Sequence, residues 1–181
     1  MRTCTLLSIA GIAWVISGVW NVTSAVGVAA EGEYKAGVAV KVITPVEPMW
    51  MAGYAARNKP AEGKVHDLYA KALCLQDAQG KKLILVTTDL IGIPRPLAEK
   101  VTQAIEKKHG IPRSAIMLTS SHTHCGPVLR ANLIDMYGLN PQEARKVEVY
   151  TDKLSQDLID LIDSAVQKLE PVQLQFGEGA A

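Results

Sequence analysis

The chain has 181 residues, 48% of them hydrophobic and 20% charged, with a formal net charge of +1. That is enough apolar material for one sizeable core. Of the 19 basic residues only Arg2 lies in the first thirty, so residues 31–181 carry 18 basic against 18 acidic side chains. No basic stripe is left over to neutralise phosphates, which excludes nucleic acid as a partner.

Residues 1–30 do not have the pattern of a folded domain. Met1-Arg2 is a short positive start, Leu6 to Trp20 is an apolar run without a charge, and Val28-Ala29-Ala30 puts small residues before Glu31. This is the pattern of an export signal cleaved after residue 30. A membrane anchor is the alternative, although a span needs about 20 apolar residues and Asn21 and Thr23 interrupt this run. Either reading exports residues 31–181, to the periplasm or the exterior. Cys4 falls in the leader, leaving Cys74 and Cys125. Export permits a disulfide between them, but two cysteines make no framework. Cys74, in an apolar run, reads as a buried small hydrophobe.

Ala36 to Ile43 is rich in β-branched residues and predicts a strand, stopped by Thr44-Pro45. Val46 to Lys64 follows without periodicity and holds Trp50, Met51, Gly53, Tyr54 and Arg57. Loops this long inside compact domains are uncommon and often functional. Its apolar content suits a pocket wall, and equally a loop whose Trp50 and Met51 plug the edge of the core. His66 to Gln76 alternates as a strand and turns at Asp77 to Gly80. Lys82 to Thr88 is the continuous apolar run of a buried strand, ending in Asp89.

Pro94 to His109 predicts a helix, with Leu97, Val101, Ala104 and Ile105 on one face and Gly110 as its stop. Ala115 to Ser121 is the next strand, which completes a βαβ unit with a right-handed crossover. Arg130 to Asn140 reads as a loop with a helical turn. Pro141 opens a long helix to about Glu170, with Val147, Tyr150, Leu154, Leu158, Leu161, Ala165 and Leu169 on the packing face. Asp152, Lys153, Asp157, Asp160, Asp163 and Lys168 form its solvated side. Val172 to Phe176 alternates as one more strand. The fold class is therefore α/β, a mixed sheet with βαβ units and helices packed on it.

Chemistry concentrates at Ser121-His122-Thr123-His124-Cys125-Gly126-Pro127. In an extended segment side chains at i and i+2 point to one side, so His122 and His124 converge. Neutral imidazole is a common zinc ligand, and ends of strands are where open α/β sheets place their chemistry. Parallel strands bring Asp89 to the same edge, 33 positions before His122. Its carboxylate either orients a histidine through the second ring nitrogen or makes a cap or loop hydrogen bond.

Several pieces taken together resemble one family, the neutral/alkaline non-lysosomal ceramidases. They are Ala36–Pro45 with Met51-Ala52-Gly53-Tyr54, Glu62-Gly63 with Val65 to Ala72, Val86-Thr87-Thr88-Asp89, and Ser121 to Pro127. The resemblance covers about residues 36–178 and implies the N-terminal portion of a zinc-dependent enzyme that hydrolyses the amide of N-acylsphingosines. It implies that His122 is a zinc ligand and that His124, with Asp89, belongs to the reacting groups. It also implies that Tyr54 and His66 contact substrate. The ion would polarise the amide carbonyl and activate a water.

Such a portion is an incomplete domain. The family's other zinc ligands, a His, a Glu and a Tyr, lie downstream of the histidine pair, and no histidine follows His124 here. The expectation is a chain inactive by itself that acts as the front of a longer enzyme on a ceramide-like lipid, in contact with a membrane surface. Cys125 stands where ceramidases usually carry serine, which leaves open a related amide substrate. An exported metal-binding or interaction module is the non-enzymatic alternative. Metallo-β-lactamase-like HxHxDH does not fit Cys125-Gly126-Pro127, and TIM-barrel amidohydrolases carry HxH on their first strand.

Overall fold

The computed structural model describes residues 27–28 and 33–177; most of the leader, and with it the signal or anchor expectation, lies outside the described residues. The strands are β1 (Gly27–Val28), β2 (Tyr34–Val42), β3 (Tyr69–Gln76), β4 (Lys82–Thr88), β5 (Ile116–Ser120), β6 (Glu170–Val172) and β7 (Gln175–Phe176). The helices are α1 (Arg95–His109) and α2 (Pro141–Gln167). Five strands form a mixed sheet in the order β5-β4-β3-β2-β6, and β1 pairs with β7 separately. Among the described strands only β4 and β5 run parallel, joined through α1 as the βαβ unit requires.

Local chemistry sets the boundaries. Asp77 turns β3 into β4 by accepting the backbone N–H groups of Gln79 and Lys81. Pro94 precedes α1, and Gly110 ends it in the left-handed region at φ 66°. Asn140 and Glu143 close a reciprocal capping box at the start of α2, satisfying N–H groups that a helix start leaves unpaired. The expected helical turn after Arg130 is a 3-10 turn at Ile134–Met136.

Both helices cover one face of the sheet. Leu97, Val101 and Ile105 of α1 and Leu154, Leu158, Leu161 and Ile162 of α2 pack on Ala39, Ala70, Ala72, Cys74, Ile84 and Val86. Alternation carries Val38, Val40, Leu83 and Met117 to the opposite face, where each is at least half exposed. Cys74 is fully buried, and burial pushes its thiol pKa up. Both Cys74 and Cys125 are free, so the permitted disulfide is not formed.

Three expectations need correction. The third strand begins at Tyr69, because Thr44 accepts the Leu68 N–H and donates to Asp67, which ties residues 66–68 into a bend. The single strand Val172–Phe176 is two pieces: β6 adds to the edge of β2, while β7 leaves to pair with β1. Pro171 is tolerated in β6 because that strand is an edge. Asp157, placed on the solvated side of α2, is buried between Lys41 of β2 (2.9 Å) and Lys153 (2.5 Å).

A pH dependence follows from Asp157. Burial pushes its pKa up, but hydrogen bonds from Lys153 and Lys41 outweigh this and hold it below the usual carboxylate range. The folded state therefore binds fewer protons at this site than the unfolded chain. Its contribution is complete above the unfolded pKa of about 3.9 and is lost as pH falls through the lower folded value. Thermal melts of Asp157→Asn across the acid range should show a shallower loss of stability than the unsubstituted chain. An identical slope would remove Asp157 from the acid response.

Candidate active site

Because β4 and β5 are parallel, Asp89 and the segment from Ser121 emerge at one edge of the sheet, where the Ser121 N–H donates to the Thr88 carbonyl (3.0 Å). The long loop crosses the same edge. Ala52 N–H donates to Gly126 (2.9 Å) and Val128 N–H to Trp50 (2.8 Å), an antiparallel bridge between Met51 and Pro127. Beneath it Met49, Ala52, Val128, Tyr137 and Val147 form a second, smaller core. Trp50 packs on Tyr137 and donates to Glu143 (2.7 Å). The loop thus fills both roles foreseen for it: it plugs a core, and its stretch Pro45–Met49 walls a groove of about 910 Å³.

The histidines meet, but not by the expected route. β5 ends at Ser120 and His122 adopts φ 59°, so the pair lies in a turn and not in an extended segment. A left-handed residue followed by the turn at His124-Cys125, where Thr123 accepts the Cys125 N–H (3.2 Å), still brings the rings to 5.3 Å at 66°. Positive φ in a residue other than glycine costs about 1 kcal/mol or more. The three described non-glycine residues that adopt it, His122, Ala131 and Leu133, all lie between β5 and α2.

His122 Nδ1 is 2.8 Å from the carbonyl oxygen of Ile91. A carbonyl only accepts, so Nδ1 holds the proton and neutral His122 keeps its lone pair on Nε2. Fixing one ring nitrogen in this way is how proteins orient a metal-ligating imidazole. The Asp89 Oδ2 accepts the Tyr69 N–H (2.8 Å), and the partner at His122 Nδ1 is Ile91. Of the two readings for Asp89, the loop hydrogen bond is the one observed with this oxygen, and a backbone carbonyl stands beside His122 in its place.

His124 sits against the long loop. Its ring meets the Tyr54 ring edge-on at 4.5 Å, and its Nδ1 is buried without a hydrogen-bond partner among the described residues. Arg57 donates to the His124 carbonyl (2.6 Å) and lies over Tyr54 at 5.2 Å. Gly53, at φ 117°, donates its N–H to the Tyr137 hydroxyl (2.7 Å). A Cβ at Gly53 would fall 2.4 Å from His124 Cγ. Tyr54, His122 and His124 are therefore brought together. His66 is exposed, contacts the Asp67 carbonyl through Nδ1, and lines the groove together with Cys125. Gly53 and Arg57 were noted in the long loop without a role, and Tyr137 carried no signal in the sequence.

Gly53→Ala is expected to destabilise the chain by about 2 kcal/mol or more, combining backbone strain with overpacking. It should also displace the His124 ring. Denaturant unfolding measures the first, and a midpoint equal to that of the unsubstituted chain would refute the contact.

Zinc needs three protein ligands even in an open catalytic site. His122 fits as one, with its tautomer fixed by Ile91. Among the described residues no group of three or more His, Cys, Asp or Glu could hold an ion. The described residues alone therefore do not complete a zinc site.

Residues 34–180 match the family described as neutral/alkaline non-lysosomal ceramidase, N-terminal. The chain belongs to this family. The mixed sheet and its helices are also similar to the crystal structure of neutral ceramidase from Pseudomonas aeruginosa, at 23% identity and a TM-score of 0.62. That likeness covers 78% of this chain and 23% of the other. A ceramidase complexed with C2 gives 23% identity and a TM-score of 0.61 over 77% and 22%. The chain thus spans less than a quarter of the length of these solved ceramidases, in the N-terminal part of the catalytic domain.

Proposed function

We propose that the turn from Ser121 to Pro127 is one wall of the active site of a zinc-dependent amidohydrolase that cleaves the amide of a ceramide-like N-acyl lipid. The observation that carries this is His122. It is a ring with its tautomer fixed by a backbone carbonyl, held in a strained conformation at a parallel-strand end, in a chain of the ceramidase family. Zinc in such a centre supplies a Lewis acid for the amide carbonyl and activates water.

In this reading His122 is one ligand, and the remaining ligands come from outside the described residues. His124, held against Tyr54, belongs to the reacting groups, and Asp89 supports them by pinning the ends of β3 and β4. The groove of about 910 Å³ beside the turn, walled by Val42, Val46, Met49 and Leu68 with His66 at its lining, suits an acyl chain. In this reading the apolar run Leu6 to Trp20 serves export, as a cleaved signal or an anchor, and the lipid is met at a membrane surface.

Zinc titration of the chain by calorimetry tests the partial centre. Weak binding that disappears in His122→Ala is expected. Tight one-to-one binding would overturn it in favour of a self-contained metal-binding module.

A further inference from the structure

We infer that Arg57 is a positioning residue that fixes His124, by clamping its carbonyl and its neighbouring ring at once. The inference rests on the reading that His124 belongs to the reacting groups. Residues 52–64 of the long loop belong to no helix or strand, so no ladder sets where Tyr54 stands. The backbone is tied nearby, by Ala52 to Gly126 and by the Arg57 N–H to the Tyr54 carbonyl, and side-chain chemistry sets the ring. The Arg57 guanidinium donates to the His124 carbonyl at 2.6 Å and covers the Tyr54 ring at 5.2 Å. The Tyr54 ring in turn meets the His124 ring at 4.5 Å.

A single planar cation therefore holds the backbone of His124 through one N–H and its ring through Tyr54. Arginine suits this better than lysine, because its guanidinium offers a flat face to the ring and a separate N–H to the carbonyl. The arrangement has a cost. Arg57 Nε and His124 Nδ1 are both buried without hydrogen-bond partners among the described residues, whereas buried polar groups are otherwise nearly all paired. An arginine that served only solubility would leave its guanidinium in water. Local losses of this kind are expected where a chain holds functional groups in place.

The experiment is nuclear magnetic resonance of the full 181-residue chain, reading the through-space cross-peak between the Tyr54 and His124 rings. Arg57→Met keeps the apolar stem and removes the guanidinium. Loss of the cross-peak, with thermal unfolding unchanged, is the expected result. Retention of the cross-peak at full intensity overturns the clamp.

A second measurement needs no variant. In the unsubstituted chain the Arg57 guanidinium should rotate slowly and give resolved N–H signals, and a freely rotating group would overturn the clamp even if Arg57→Met failed to fold. Neither readout involves zinc or hydrolysis. Absence of amidase activity in a longer enzyme that carries this segment with a complete ligand set would thus count against the proposed function and leave the clamp standing, while a missing clamp would leave the proposed function untouched.

Discussion

Replacing His122 by alanine is expected to lower the hydrolysis of an N-acylsphingosine by at least on the order of 100-fold in an enzyme that carries this segment with a complete ligand set. Changes to groups that merely orient a metal ligand already cost about 10- to 100-fold in metal affinity or activity. Removing a ligand, the role proposed for His122, should cost more. The strained backbone makes a sharper comparison available. His122 sits at φ 59°, a conformation that glycine adopts freely and other residues at a cost of about 1–2 kcal/mol.

His122→Gly and His122→Ala should therefore be equally inactive but unequally stable, with the glycine variant more stable by about 1 kcal/mol. A histidine kept at such a site only for packing would show the stability difference without the loss of activity. Fatty-acid release and denaturant unfolding, measured on the same two variants, separate these outcomes. Activity within a few-fold of the unsubstituted enzyme in either variant would remove His122 from the metal centre.

How far the residues alone could lead differs between scaffold and site. The periodic elements were legible. The apolar run Lys82–Thr88 is β4 residue for residue, and α1 stops at Gly110 as its composition requires. Each is decided by neighbours within one turn or one pleat. Asp157 was not legible, since its burial depends on Lys41 arriving from a strand 116 positions earlier. Nor was the break between Val172 and Gln175. It is made by two different partners, Tyr34 and Val28, and by nothing in the segment itself.

The site shows the same division more strongly. His122 and His124 were visible as a pair, and the pairing of their rings was foreseen, yet the backbone that produces it is a left-handed turn in place of a strand. Period-two reasoning assumes that extended geometry continues. Here β5 stops at Ser120 and the ring of His122 is aimed by the Ile91 carbonyl. Tyr54 entered through resemblance, but the residues that hold it, Gly53 and Arg57, carry no periodic signal. They act through a close approach and a cation over a ring, both of which exist only once the loop has folded over the sheet edge.

The largest loss of stability is expected from Gly37→Ala, a change of one methyl group. Gly37 lies in the middle of β2, opposite Cys74 of β3, on the face that α2 covers. A Cβ built there would stand 2.0 Å from the carbonyl oxygen of Ala165, with the backbone of Lys168 and Leu169 at 3.0 and 3.1 Å. None of these atoms ends a flexible side chain, so no rotamer change relieves the clash. The last turn of α2 would have to lift. The chain enters β6 directly after Leu169, and β6 is paired to β2 at Ala36 and Lys35, so lifting the helix end also pulls on the strand beside the substitution.

Overpacking typically costs about 1–3 kcal/mol, and a backbone obstacle tied at both ends places this case at about 3 kcal/mol or above. At about 2–4 °C per kcal/mol for a domain of this size, the melting temperature should fall by roughly 6–12 °C. Gly63→Ala is the matched control, because no atom lies within 4 Å of its Cβ and its φ is outside the left-handed region. It should change stability by less than about 1 kcal/mol, in the stabilising direction, by restricting the unfolded chain. Should Gly37→Ala melt within a degree or two of Gly63→Ala, α2 does not approach the sheet as closely as its contact with Gly37 requires.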